Sequence, residues 1–257
     1  MPQQVKILDV EIDNITWSDL LRQLKSGGIV FTPNVDHIVK LQKDPEFFLA
    51  YQAATYRLCD SKILQMASRF LGTPIRDKIS GSDLFPAFYQ YYAKDEEVTI
   101  FLLGAAEGVA EEAQRRINHK VGRNMVVQTY SPPYGFEKDE QECAKIIDMV
   151  NESKATVLAV GLGAPKQEKW IYKYKDCFEH AKLIMALGAT IDFEARNVAR
   201  APKWASELGV EWIFRIWQEP KRLWRRYLVD DLPFLWMVLQ QKRGENRQKR
   251  SEVPTDA

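Results

Sequence analysis

Short apolar runs alternate with longer amphipathic stretches over the first three quarters of this chain. The runs Gly28–Thr32, Thr55–Leu58, Val98–Leu103, Met125–Thr129, Thr156–Val160 and Leu183–Leu187 read as strands. The middle ones are continuously apolar, as strands buried on both faces are. Between and after them lie helical patterns at Val35–Ala54, Lys62–Phe70, Asp83–Tyr92, Gly108–Lys120, Asp139–Asn151 and Pro165–Tyr174. Strand–helix alternation predicts an α/β fold, a mainly parallel sheet flanked by helices in a Rossmann-like arrangement. Gly72–Ser82 and Tyr130–Phe136 read as loops.

After Asp192 the pattern turns wholly helical. The expected organisation is a nucleotide-handling core over 1–195, a helical appendage over 196–243 and a polar, disordered tail over 244–257. The appendage changes the picture. It holds five of the chain's seven tryptophans (Trp204, Trp212, Trp217, Trp224 and Trp236). From Arg200 to Arg250 there are twelve basic and six acidic residues, although the whole chain carries only +1. Interleaved tryptophan and arginine suit a surface that meets apolar material and anionic groups together. The plainer alternative is a helical cap with buried tryptophans and a solvated basic face.

No run approaches the roughly 18 apolar residues of a spanning helix, and the first residues lack a signal-peptide pattern. Three scattered cysteines, Cys59, Cys143 and Cys177, fit a reducing cytoplasm rather than a disulfide framework or a zinc site. No D-x-D triplet occurs, which argues against an obligatory metal.

In a parallel sheet the ligand sits at the carboxyl ends of the strands, and five polar or glycine-rich turns follow candidate strands here. Thr32-Pro33-Asn34 offers uncharged hydrogen-bonding groups, with Asn34 or Asp36 equally suited to cap a helix. Asp60 stands where a general base would, or where an N-cap would. The turns at Gly104 and at Gly163-Ala164-Pro165-Lys166-Gln167-Glu168 would let a ligand approach backbone N–H groups, with Pro165 at a helix start. Gln167 and Glu168 could read a base, ribose or sugar, and Asp192 a sugar hydroxyl. Neither G-x-G-x-x-G nor a P-loop pattern is present, which removes a dinucleotide-dependent oxidoreductase and a P-loop enzyme.

These residues carry a resemblance. Thr32-Pro33-Asn34, Asp60, Gly81-Ser82-Asp83-Leu84, Gly161 to Glu168, Arg200-Ala201-Pro202, Glu211 to Arg215 and Glu219 to Leu228 stand in order over roughly Gly28–Phe234. In this the chain resembles the WecG/TagA/CpsF glycosyltransferases of bacterial cell-surface polymer synthesis. The resemblance implies inverting transfer from a UDP-sugar, such as UDP-N-acetylmannosamine, to a polyprenyl-diphosphate-linked sugar. Asp60 falls on the family's proposed base, and Thr32, Asn34 and Gln167 on active-site positions. The C-terminal segment falls on the part that meets the membrane.

The expected enzyme is cytoplasmic, peripheral on the inner face of the cell membrane. It needs no cofactor and no metal, and it does not bind nucleic acid; a homo-oligomer is compatible with it. Arg215, Arg222 and Arg225 would receive the diphosphate, since the guanidinium fork donates two hydrogen bonds at once. Where the family often has glycine, this chain has Ser61 and Arg196. The competing reading is a non-catalytic module whose basic, aromatic C-terminus holds nucleic acid or anionic lipid.

Overall fold

The computed structural model describes residues 3–198, 216–217, 224–225 and 229–251, with side chains as far as 244. Strands β1 (Gln3–Ile7) and β2 (Val10–Asn14) form an antiparallel hairpin. Val5, Ile7, Val10 and Ile12 face inward while Lys6 and Glu11 face water, the period-2 pattern of a half-buried pair. Buried Asp13 ties the hairpin to the main sheet by accepting from the Arg57 backbone N–H at 2.7 Å. This hairpin was not among the expected strands. Helix α1 (Trp17–Leu24) follows, capped by Thr16.

The six expected strands all form: β3 (Gly28–Phe31), β4 (Tyr56–Arg57), β5 (Ile100–Gly104), β6 (Val126–Tyr130), β7 (Val157–Gly161) and β8 (Leu183–Ala186). They make one parallel sheet in the order β4-β3-β8-β7-β5-β6. The helices are α2 (Val35–Leu41), α3 (Pro45–Gln52), α4 (Lys62–Leu71), α5 (Gly81–Tyr91), α6 (Val109–Val121), α7 (Glu140–Glu152), α8 (Lys166–Tyr174), α9 (Thr190–Ala195) and α10 (Pro233–Ser251). The single helix expected over Val35–Ala54 is two, because Asp44 caps a new helix with Pro45 in its first turn. Helix α10 crosses the boundary expected at Gly244.

The sheet lies between two apolar layers. One contains buried faces of α2, α3, α4, α7, α8 and α10; the other those of α1, α5, α6 and α9. The chain therefore leaves β3 toward the first layer, its neighbour β8 toward the second, β7 toward the first and β5 toward the second. Where adjacent strands send their helices to opposite faces, the loops part and leave a crevice at the carboxyl edge. Here that switch happens three times in succession, across β3, β8, β7 and β5.

Candidate active site

Four loops border the crevice, and each has a local reason for its shape. After β3 the chain runs through Thr32-Pro33-Asn34. Asn34 caps α2, its side-chain oxygen accepting from the His37 N–H at 3.1 Å. Thr32 is buried, and its hydroxyl lies 3.4 Å from where a β-carbon would stand on Gly81, at the start of α5. A β-carbon at Gly81 would therefore make ordinary contact with Thr32, which places the start of α5 against the β3 loop.

After β4 the backbone N–H groups of Leu58 and Asp60 donate to Phe31 and Pro33 at 2.8 and 3.0 Å, extending the parallel pairing into the loops. The cap of α4 is Ser61, which accepts from the Ile63 and Leu64 N–H groups. Asp60 is therefore not the helix cap, the alternative its sequence position allowed. It is half-buried at the mouth of the β3–β4 edge. Burial pushes the neighbouring Cys59 thiol up to about 12, so it stays a thiol at neutral pH. Lys78 belongs to this corner as well. The Ile79 N–H donates to the Cys59 carbonyl at 2.8 Å, and the Lys78 ammonium, largely buried, lies 3.7 Å from Asp83. Sequence reading placed Lys78 in a loop and gave it no role; a lone lysine there carries no signal.

After β7, Gly163 adopts φ +80° and faces open space, whereas Gly104, the last residue of β5, does not. A β-carbon on Gly104 would stand 2.3 Å from the Gly161 carbonyl oxygen. Gly104 is thus required by the close approach of β5 to β7, and the expectation that it meets substrate has a simpler physical explanation. Pro165 precedes α8 directly, following a cis peptide bond.

Gln167 and Glu168 do not reach into the crevice from an exposed first turn, as their sequence position suggests. Both are buried, at 3% and 0% exposure. The Gln167 side-chain oxygen accepts from Gly163 N–H at 3.2 Å and from Gly188 N–H at 3.1 Å, joining the β7 and β8 loops. Its amide nitrogen donates to Glu168 Oε1 at 2.8 Å. Among the described residues Glu168 Oε2 has no hydrogen-bond partner. Burial pushes the Glu168 carboxyl up to about 7, against the pull of its Gln167 hydrogen bond and Lys40. A buried carboxylate is costly, and the proton is the cheaper solution.

A polar layer beneath this edge was not legible in the sequence. His37 Nδ1 and the Tyr51 hydroxyl lie 2.6 Å apart, both buried. Burial raises the Tyr51 phenol well above its usual value, and the carboxyls of Glu168, Asp60 and Asp36 add to the effect. Asp36 is also buried and pairs with Lys40 at 2.8 Å. The one available hint was an Asp-His pair inside an otherwise apolar helix start.

Asp192 lies in α9, where its carboxylate accepts from the Asn197 side chain at 3.1 Å and its carbonyl from the Asn197 N–H at 2.9 Å. It serves the end of its own short helix. Arg196 takes φ +58° as the C-cap of α9, a left-handed conformation that glycine adopts without strain. Arg225 is exposed; Arg215 and Arg222 lie outside the described residues. Among the described residues no group of three or more His, Cys, Asp or Glu side chains could hold a metal, and no helix is long and apolar enough to cross a membrane.

The structure thus brings Thr32, Asn34, Asp60, Gly163, Pro165 and Gln167 to one edge of the sheet, with Gln167 as a clamp behind the loops. Comparison with known proteins bears on the family of the chain. The chain is 30% identical over 202 residues, 79% of its length and 75% of the relative's, to an N-acetylglucosaminyldiphosphoundecaprenol N-acetyl-beta-D-mannosaminyltransferase of Bacillus spizizenii. It is 31% identical over 204 residues, 79% of its length and 76% of the relative's, to the protein of the same name from Bacillus subtilis. The model of the glycosyl transferase WecG/TagA/CpsF family matches residues 5–248, and the chain belongs to that family.

Proposed function

We propose that this glycosyltransferase moves a sugar of the N-acetylmannosamine type from a UDP-sugar to a polyprenyl-diphosphate-linked sugar, with inversion, at the cytoplasmic face of the membrane. The observation that carries the reading is the placement of Asp60. It stands in the loop after β4, beside β3 and the switch-point crevice, and Ser61 relieves it of capping α4. A carboxylate so placed accepts the proton of the acceptor hydroxyl as that oxygen attacks the anomeric carbon. The bond to the UDP oxygen breaks on the opposite side, so one displacement inverts the centre.

Negative charge develops on the departing diphosphate, and fixed donors stabilise it best in a site that excludes water. We assign that task to the C-terminal arginines Arg215, Arg222 and Arg225, and contact with donor or acceptor to Thr32, Asn34 and Gly163. The acceptor class follows the names of the two Bacillus relatives, which act on a diphosphoundecaprenol-linked sugar. The test is a panel of UDP-sugars with a synthetic lipid-diphosphate N-acetylglucosamine acceptor, reading UDP release and the anomeric configuration of the product. UDP-N-acetylmannosamine should give a β-linked product. Release of UDP from no member of the panel would overturn the reading.

A further inference from the structure

Helix α4 carries Ile63, Met66 and Phe70 at spacings of three and four, so they share one face. All three are exposed, at 36%, 59% and 49%, while Leu64, Ala67 and Leu71 fill the core from the other face. Helix α10 repeats the arrangement. Phe234 and Val238 are buried, and Leu235, Trp236 and Leu239 are exposed. Packing of the fold needs one apolar face on each helix; each has two.

The two helices are in contact, and the Lys242 ammonium donates to the Leu71 carbonyl at 3.0 Å. Their charges are one-sided. Over 62–71 and 233–251 stand Lys62, Arg69, Lys242, Arg243, Arg247, Lys249 and Arg250 against the one acid Glu245. Apolar side chains with basic neighbours far outnumbering carboxylates complement an anionic lipid surface. A protein partner would ordinarily call for charges of both signs.

We infer that the exposed face of α4, together with that of α10, is a docking surface for the anionic leaflet of a bilayer. Ile63, Met66 and Phe70 enter the boundary between headgroups and acyl chains, while Lys62, Arg69 and Arg243 meet lipid phosphates. Membrane attachment then belongs to the catalytic core as well as to the C-terminal appendage. Because α4 begins two residues after Asp60, docking through it holds the candidate base at headgroup depth. That is where the diphosphate of a lipid-linked acceptor lies, a consequence that rests on the proposed function; the docking itself does not.

The experiment uses the full chain and vesicles of equimolar phosphatidylglycerol and phosphatidylethanolamine. Binding is compared for wild type, the double variant Met66→Glu/Phe70→Glu, and Leu49→Glu, which charges another exposed apolar position, on α3. Apolar area entering a bilayer dominates such binding, so the double variant should bind about 10-fold more weakly or worse. Leu49→Glu should match wild type, and unfolding temperatures should match throughout. UDP release with a water-soluble, short-chain acceptor should be retained by the double variant, and release with a long-chain acceptor in vesicles should fall. If no protein releases UDP from either acceptor, the transfer reading fails while vesicle binding still judges the docking surface. Wild-type vesicle binding by the double variant overturns the inference. So does a wild-type oligomer in sedimentation that the double variant dissociates, since the face would then join two copies of this chain.

Discussion

The side-chain oxygen of Gln167 accepts from the backbone N–H of Gly188 at 3.1 Å, and the same oxygen accepts from Gly163 at 3.2 Å. One amide thus fastens the loops of two neighbouring strands whose helices depart to opposite faces. Gln167→Ala leaves both N–H groups without this partner, and such losses cost about 1–3 kcal/mol each at buried sites. We expect a stability loss of about that size by denaturant titration. Turnover should fall further than stability explains at temperatures where the variant is folded. Wild-type turnover in a folded Gln167→Ala protein would remove the clamp from the account of the site.

Glu168 makes stability pH-dependent with a definite sign. Its folded value of about 7 lies above the usual 4.5, so between those values the folded state binds more protons than the unfolded. This contribution is therefore fully present below about pH 4.5 and is lost as pH rises to about 7. The span corresponds to about 3 kcal/mol at 1.36 kcal/mol per pH unit. Glu168→Gln cannot ionise. The stability difference between wild type and Glu168→Gln should shift in favour of wild type by up to that amount on going from pH 8 to pH 5. A difference independent of pH would mean that Glu168 titrates normally in the fold.

Two glycines that look alike in sequence should behave differently. Gly104→Ala would place a β-carbon 2.3 Å from the Gly161 carbonyl, at φ +120°. Backbone must move, and the loss of stability should exceed about 3 kcal/mol, the range of severe core disruptions. Gly163→Ala meets nothing within 4 Å and costs only its φ of +80°, about 1–2 kcal/mol for a left-handed residue. If Gly163 borders bound substrate, its alanine variant should lose more in kcat/KM than in stability. Equal stability losses for the two variants would contradict the packing described for β5 and β7.

Activity should survive a metal chelator. The sequence lacks D-x-D, and arginines are available to neutralise a diphosphate. Initial rates with and without EDTA provide the check; complete loss, restored by magnesium or manganese, would require a metal.

Much of the fold was legible because its signals are local. Six short apolar-rich runs became the six strands of the parallel sheet. Asn34 was one of two named caps for α2, and it is the cap. What escaped depends on which group wins between neighbours. Asp60 and Ser61 are both good caps, and only the turn geometry gives the role to Ser61. Gln167 and Glu168 stand in a helical first turn at a strand end, a place that ordinarily faces ligand. Here α8 lies so that they turn beneath the loops while Lys166 and Lys169 remain nearer solvent. The hairpin of β1 and β2 was missed because its alternation is short and its turn at Leu8-Asp9 contains no glycine; Leu8 itself takes φ +52°. The contact of α10 with the core was also invisible, since Gln241 bonds to Leu8 across 233 residues of chain.

The central claim is that Asp60 is the base and Ser61 the cap, and a paired substitution tests it most directly. Initial rates of UDP release from UDP-N-acetylmannosamine and a lipid-diphosphate acceptor are measured for wild type, Asp60→Asn and Ser61→Ala, alongside denaturant unfolding of each. Asp60→Asn should lose about 100- to 10,000-fold in turnover while still unfolding as one cooperative protein. Ser61→Ala should lose about 1 kcal/mol of stability, the usual cost of a lost serine cap, and remain active. The opposite pattern, with near-wild-type turnover in Asp60→Asn, would contradict the account.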